Sequence, residues 1–374
     1  MPKKLKVALI HDYLLEYGGA ERVLEALHEI YPQAPIYVSF VDKKALGIHW
    51  QRFANWDIRK TWFAKIPLVK IFYSPLRVLV DRSFMDLDLS DFDLVISSSN
   101  AFEAKAVQVP NGTHVCYCHT PPRALYGYST MTDWKKNPLI KFGGTLINHY
   151  MRIIDFKHAQ KVDHFIANSE ETKRRIEKFY RREATVIYPP VNVPTRNELK
   201  EYKKQAQKKY PTNYYLYISR LSFSKHPELA VQAANQMGVN LKVAGSGKME
   251  PKLKKMASHH VEFMGAVNDE ELHVLLAGAK GLIYPVEDED FGIVPVEAMA
   301  HGIPVIAHKS GGPLETVVEG KTGIFFEKLN VEGVVGALKK FGKLKFDAEE
   351  ISKHAEKFSK IKFQNKIKTY INQS

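Results

Sequence analysis

Residues 281–300 read GLIYPVEDEDFGIVPVEAMA. Gly281-Leu282-Ile283-Tyr284 is an apolar run ending at Pro285, which reads as a buried strand. Beyond it, Val296, Met299 and Ala300 fall at helical spacing, and Pro295 suits the first turn of a helix. Between strand and helix lies an acidic loop with Glu289, eight positions before Glu297. A loop at the carboxyl end of a strand, followed by a helix amino terminus, is where open α/β sheets bind ligands. Phe291, Gly292 and Ile293 would offer backbone N–H groups to an anion, with Gly292 permitting close approach. Glu289 and Asp290 could accept hydrogen bonds from a polyhydroxylated ligand. The competing reading is plain: Glu297 as a helix-dipole glutamate and Glu287 to Asp290 as a solvated acidic loop. The stretch alone does not decide between them.

Around it the chain alternates. Leu241 to Ala244, Val261 to Met264, Pro304 to Ala307 and Ile324 to Phe326 are strand-like, and this series begins at Tyr214 to Ile218. An earlier series has strand-like runs at Lys6 to His11, Pro35 to Val41, Leu94 to Ser98, His114 to Cys118 and His164 to Ala167. Helical patterns separate them, notably Ala20 to Leu27, Leu139 to Ala159 and Glu170 to Tyr180. Such βαβα order predicts parallel doubly wound sheets. Pro189-Pro190-Val191-Asn192 stops the first series, and Glu198 to Lys204 reads as a linker or short exposed helix. We expect a first domain over 1–193, a second over 194–357, and a closing helix over Ala355 to Ile371. Residues 358–374 should pack back on the first domain. No sequence repeat relates the halves.

Composition narrows the classes. The 374 residues are 45% hydrophobic and 11% aromatic, enough to bury real cores. No apolar run reaches the ~18 residues of a spanning helix, and no secretory signal is evident. Cys116 and Cys118, two apart on one strand, suit neither a mutual disulfide nor zinc. A reduced, cytoplasmic protein is expected. The net charge of +13 asks for an anionic partner. Gly245-Ser246-Gly247 lacks the third glycine of a dinucleotide fingerprint, because Glu250 stands there. Gly320-Lys321-Thr322 lacks the first glycine of a P-loop, where Glu315 stands. Pairs of aspartates two apart, such as Asp86 and Asp88, recur by chance, and no metal is assigned to them.

Taken together, several landmarks resemble the retaining glycosyltransferases of family 4. In the first half they are Gly18-Gly19-Ala20-Glu21-Arg22, Cys118-His119-Thr120-Pro121-Pro122-Arg123, Ala167-Asn168-Ser169-Glu170 and Tyr188-Pro189-Pro190-Val191. In the second they are Ser219-Arg220-Leu221 with Lys225, Gly245-Ser246-Gly247, and Glu289-Asp290-Phe291-Gly292 with Glu297-Ala298-Met299-Ala300. The combination most resembles bacterial mannosyltransferases of O-antigen and capsule-type polysaccharides. Ser219 departs from the glycine common before the arginine, and Asp290 from the glycine common after the first glutamate. The resemblance implies the GT-B fold, two Rossmann-like domains facing across a cleft. It implies a nucleotide-sugar donor, held mainly by the C-terminal domain, with Arg220 and Lys225 on the diphosphate. Glu297 would then take the ribose and Glu289 the transferred sugar. Gly18 and Gly19 would approach the diphosphate and acceptor, Gly245 and Gly247 would line the donor site, and His119 would touch the donor sugar. Such enzymes work without a bound metal or other cofactor. The expected reaction moves a hexose, mannose from GDP-mannose, onto a lipid-linked saccharide. A UDP- or ADP-sugar donor stays open, since no side chain reads guanine.

Two basic-aromatic segments accompany this. Trp56 to Arg82 interleaves Arg59, Lys60, Lys65, Lys70, Arg77 and Arg82 with Trp62, Phe63, Ile66, Leu68, Phe72 and Tyr73. Trp134 to Lys161 carries Lys135, Lys136, Lys141, Arg152, Lys157 and Lys161. Both suit an anionic membrane surface, the inner face of the plasma membrane; packing between domain helices is the alternative. Nucleic-acid binding is a rival for the basic charge, but no nucleic-acid module is present. A phosphorylase or hydrolase on the same fold is another.

Overall fold

The computed structural model describes residues 5–69, 73, 75–100, 103–128, 138–210 and 213–373; side chains of residues 75 and 138–141 fall outside that description. Of the basic-aromatic residues, Lys70, Phe72, Trp134, Lys135, Lys136 and the Lys141 side chain lie outside it. The described chain forms two compact units: one runs to Pro190 and adds the segment from Phe363, and the other spans Val191–Lys362.

The first unit holds a seven-stranded sheet: β1 (Val7–His11), β2 (Ile36–Val38), β3 (Ile58–Lys60), β4 (Leu94–Ser99), β5 (Thr113–Cys118), β6 (His164–Ala167) and β7 (Thr185–Val186). Its order is 3-2-1-4-5-6-7, and every pairing is parallel. Central β1 and β4 are buried along their whole length, as a sheet covered on both faces requires. The second unit holds β8 (Tyr215–Ile218), β9 (Leu241–Ala244), β10 (Val261–Gly265), β11 (Gly281–Tyr284), β12 (Val305–His308) and β13 (Gly323–Phe326), in the order 10-9-8-11-12-13. The two sheets therefore share a strand order, although their sequences show no repeat. Each has its switch point beside its first strand, between β1 and β4 and between β8 and β11. Crevices at such points receive ligands.

Helices of seven or more residues are numbered here: α1 (Gly19–Ile30), α2 (Pro138–Ala159), α3 (Glu170–Tyr180), α4 (Arg196–Lys209), α5 (Pro227–Met237), α6 (Glu250–Met256), α7 (Asp269–Gly278), α8 (Ile293–Ala300), α9 (Val331–Phe341), α10 (Ala348–Ala355) and α11 (Lys360–Gln373). Val23, Leu24, Ala26 and Leu27 of α1 meet Leu9, Ile36 and Ile96 of the sheet, and Phe363 and Ile367 of α11 join that same core.

Details of the chain differ from or add to the sequence expectations. Of the two readings of 198–204, the helix holds: it is part of α4, longer than the stretch read, started by a reciprocal Thr195–Glu198 capping box and packed on α7. The closing helix starts later than Ala355: α10 ends there, and α11 begins at Lys360. After α10 and a short turn at Glu356–Phe358, Ser359 turns extended so that its neighbours bond to Val191: Val191 N–H donates to Phe358 O and Lys360 N–H to Val191 O, both at 3.0 Å. Short β3 and β7 carry too little apolar pattern to be read in advance.

Candidate active site

In the second unit the expected donor residues gather at the β8/β11 switch point. Two buried tyrosines on these strands hold them. Tyr217 OH donates to Lys225 O (2.9 Å), fixing the turn Phe223–Lys225 after β8. Tyr284 OH donates to Glu289 Oε2 (2.9 Å). Burial raises both phenols well above their usual range, so they stay protonated donors. Lys225 Nζ reaches the same Glu289 oxygen at 2.5 Å, with the two side chains 19% and 15% exposed. The cation and the carboxylate are thus in contact, each held from below and open above. Arg220 stands exposed on the same loop, and Asp290 is half-buried beside Glu289.

Close backbone approaches shape this ledge. Gly311 and Gly312, after β12, press on the 289–291 main chain. A Cβ at Gly311 would sit 2.3 Å from Glu289 O, and one at Gly312 would sit 2.2 Å from Phe291 O. Gly312 N–H also donates to Glu289 O (2.8 Å). Sequence reasoning missed this pair, although a Ser-Gly-Gly-Pro run in the loop after a strand was a visible signal. Gly245 (φ +131°) has a structural task of its own, since a Cβ there would lie 2.0 Å from Ser219 O. Gly247 likewise crowds Leu221 O, and Leu221 N–H donates to Ser246 O (2.9 Å). These glycines bring the β9 loop against the Arg220 loop. Gly292 takes φ +85° at the start of α8. Phe291 turns its ring into the core against Phe358, so it offers only backbone to a ligand. Glu297 is buried on α8, and Ile293 opens that helix. The Glu297 carbonyl accepts from His301 Nδ1 (2.7 Å), whose Nε2 meets His273 Nδ1 (2.9 Å). Burial pushes His301 down to about 4.

In the first unit, the β1/β4 switch point carries a hydrogen-bonded chain that joins two landmarks. His119 Nε2 bonds Ser98 Oγ (2.8 Å), which bonds His11 Nδ1 (3.1 Å). His11 Nε2 meets Glu21 Oε1 (3.4 Å), and Glu21 Oε2 accepts from Gly18 N–H (2.8 Å). His119 is 6% exposed; burial, then the neighbouring His11, push it down to about 3. It is a neutral hydrogen-bonding ring. Gly18 has an ordinary extended φ of −138°, and a Cβ there would meet only the Glu21 carboxylate at 3.4 Å. The fold does not demand that glycine. Gly19 is the first residue of α1. Ser98, His11 and Asp12 were not foreseen. The buried Asp12 carboxylate accepts from Asn100 N–H (2.7 Å) and Ala104 N–H (3.0 Å), tying the loop after β4 to the end of β1.

Beneath that loop lies a charged cluster. Lys105 Nζ meets Asp155 Oδ1 (2.5 Å) and Glu103 Oε2 (3.2 Å), and His158 Nδ1 meets Glu103 (3.2 Å). Tyr126 OH and Tyr180 OH donate to Asp155 at 2.6 and 3.2 Å. Burial works against the Glu103 charge, but Lys105 and His158 outweigh it and hold the carboxyl at about 2. For Asp155 burial prevails, raising it to about 6.

Comparison with known proteins agrees with this layout. Residues 17–194 match the family described as Glycosyltransferase Family 4, and residues 199–358 match Glycosyl transferases group 1. The chain is a glycosyltransferase, its two halves matching these two families. Curated relatives of this glycosyltransferase include the alpha-1,3/1,6-mannosyltransferase ALG2 of Candida glabrata, 26% identical over 84% of this chain and 78% of that protein. The alpha-1,3/1,6-mannosyltransferase of Schizosaccharomyces pombe is 24% identical over 85% and 70%. Among solved structures, Anabaena HepE in complex with UDP and glucose superposes with a TM-score of 0.69 at 17% identity, covering 99% of this chain and 100% of that one. Sucrose-phosphate synthase from Thermosynechococcus elongatus gives 0.72 at 16% identity, covering 99% of each. These structural likenesses establish the two Rossmann-like domains of the GT-B fold. The enzyme is a hexosyltransferase. Among its described residues, no helix is long and apolar enough to cross a membrane.

Proposed function

We propose that this glycosyltransferase moves mannose from GDP-mannose onto a lipid-linked saccharide, with retention of configuration. The observation that carries the reading is the Lys225–Glu289 contact at the β8/β11 switch point. A diphosphate and the sugar bonded to it are adjacent groups, and adjacent recognition asks for a cation and a carboxylate side by side. Lys225, with Arg220 on the same loop, takes the diphosphate and stabilises the charge that grows as the nucleoside diphosphate leaves. Glu289, freed from Lys225, accepts from sugar hydroxyls. Glu297 takes the ribose, and the amides from Phe291 to Ile293 meet phosphate or sugar oxygens. Gly245 and Gly247 line the donor loop by setting the Arg220 main chain. These cations do the work a metal would do elsewhere, so the reaction runs metal-free.

His119, at about 3, is too weak a base to take the acceptor proton at neutral pH. The leaving phosphate takes it on the same face, and the ring of His119 contacts the donor sugar. Gly18, which the fold does not require, and Gly19 at the start of α1 leave room for an anionic group. Mannose is favoured by the names of the ALG2 relatives. The enzyme works from the cytoplasmic side, with its first unit against an anionic inner membrane face. Of the two basic-aromatic segments, the first sends much of its apolar content inward: Phe63, Val69 and Val80 are core, with Ile66, Tyr73 and Leu76 packed on it.

A thermal-shift screen with GDP, UDP and ADP, then their sugar conjugates, tests the donor. GDP-mannose should raise the midpoint most, because a ligand that binds only the native state stabilises it. A response to UDP- or ADP-sugars alone overturns the donor assignment. Nucleoside diphosphate should be released only when an acceptor saccharide is present, and release without one would point to a hydrolase.

A further inference from the structure

Helix α2 carries exposed apolar side chains in a row. Phe142, Leu146, Tyr150 and Ile153 are 71%, 59%, 59% and 45% exposed. They fall at i, i+4, i+8 and i+11, so they share one face, and Lys157 at i+15 continues it. The opposite face of the same helix is spent inward, with Met151, Asp155 and Ala159 buried. At its carboxyl end the stripe runs into a groove between α2 and α3 of about 460 Å³, floored by Tyr126, Ile153, Phe156 and Phe179 and rimmed by Arg152 and Lys157. That is within the size range of small-molecule sites. The floor is held in place: the Tyr126 ring stacks on Phe179 at 4.1 Å, and its hydroxyl is tied down to Asp155. Arg152 is fixed at the rim by its bond to Leu125 O (3.2 Å). Lys178 adds a cation 5.4 Å above the Phe179 ring. The sequence from 134 to 182 carries twelve Lys and Arg against five Asp and Glu, so the stretch that holds the stripe is basic overall.

We propose that this groove binds one anionic phospholipid of the bilayer, its acyl chain over the aromatic floor and its phosphate between Arg152, Lys157 and Lys178, while the Phe142–Ile153 stripe lies in the interface. An aromatic floor takes hydrocarbon by apolar burial, and a cationic rim takes phosphate, so the occupant needs both parts in one molecule. Each basic group near an anionic surface adds to the attraction. The inference rests on the membrane-surface reading above and adds to it a site and a headgroup charge.

Flotation of the full chain with vesicles of phosphatidylcholine, with and without phosphatidylglycerol, tests it. The wild type should float only with the anionic vesicles. Ile153→Trp, which fills the groove, and the exposed pair Lys157→Glu/Lys178→Glu should each lower the bound fraction at least fivefold at unchanged thermal midpoint. Lys252→Glu/Lys255→Glu, on α6, should leave it unchanged. Equal loss in that control pair, no loss in the groove variants, or equal flotation with neutral vesicles would overturn the proposal. Recruitment by an isoprenoid phosphate in neutral vesicles, without response to phosphatidylglycerol, would overturn it as well. A wild type that floats as expected yet transfers only to water-soluble saccharides sinks the acceptor reading and leaves the groove standing. One that transfers to lipid-linked saccharide in detergent but ignores anionic vesicles sinks the groove alone.

Discussion

Each unit carries a lysine in contact with a carboxylate at 2.5 Å, and the two contacts differ in everything else. Lys105–Asp155 is closed: side chains 1% and 0% exposed, with Glu103, His158, Tyr126 and Tyr180 occupying the surrounding polar positions. Lys225–Glu289 is open: it is held from within by Tyr284 and by the Tyr217 anchor on the lysine backbone, and it retains solvent access. A closed pair fixes a loop, because breaking it strands a charge. An open pair can exchange its partner for a ligand at little cost, because water or substrate replaces what is lost.

The contrast is testable at both ends. Lys105→Met leaves Glu103 and Asp155 buried without their cation and should destabilise the protein by about 3–5 kcal/mol, read by denaturant unfolding. A change below ~1 kcal/mol would make the closed pair no different from the open one. Lys225→Ala should instead leave stability within ~1 kcal/mol and lower kcat by about 10²–10³. Full activity in a folded Lys225→Ala enzyme would falsify the diphosphate clamp.

Acid should separate the buried groups further. His114, His119 and His301 are held neutral at about 4, 3 and 4 by burial. A histidine depressed in the fold gives stability that is full above its unfolded value near 6.5 and is lost as pH falls through the folded one. Glu103, at about 2, acts in the same sense below its own unfolded value. Asp155, raised to about 6, acts oppositely: its contribution is present at low pH and is lost as pH rises through 6. Three histidines against one carboxylate give a thermal midpoint that drops between pH 6.5 and 4, and His119→Gln should blunt the drop. A midpoint flat over that range would show the rings to be charged in the fold. The smallest effect is expected at Gly18→Ala, with stability within ~1 kcal/mol of wild type because its backbone is ordinary. Gly245→Ala, forced against Ser219 O at positive φ, should cost more in unfolding free energy. Equal costs would mean that Gly18 too is a folding residue.

Most strands of both sheets were legible, because buried parallel strands are short apolar runs bounded by turn residues. The Lys225 and Glu289 positions were legible through their loops and glycines. The His119–Ser98–His11–Glu21 chain and the Lys105 cluster were not. Their members are single polar residues paired at separations from 2 to 87 positions, and polar pairing leaves no periodic trace. Burial has a period; partnership does not. The same limit hid β3 and β7, whose runs Ile58–Lys60 and Thr185–Val186 are too short to show an alternation.

Phe363 and Ile367 complete the core formed by Leu9, Leu27 and Ile96, and Gln364 bonds Glu29 on α1 (2.7 Å). On the ribosome, the first unit to emerge therefore lacks two of its core side chains until the whole second unit has been synthesised. At roughly 5–20 residues per second that interval is about ten to thirty seconds. During it, apolar surface on α1 stands uncovered, a period in which a holding chaperone has something to bind.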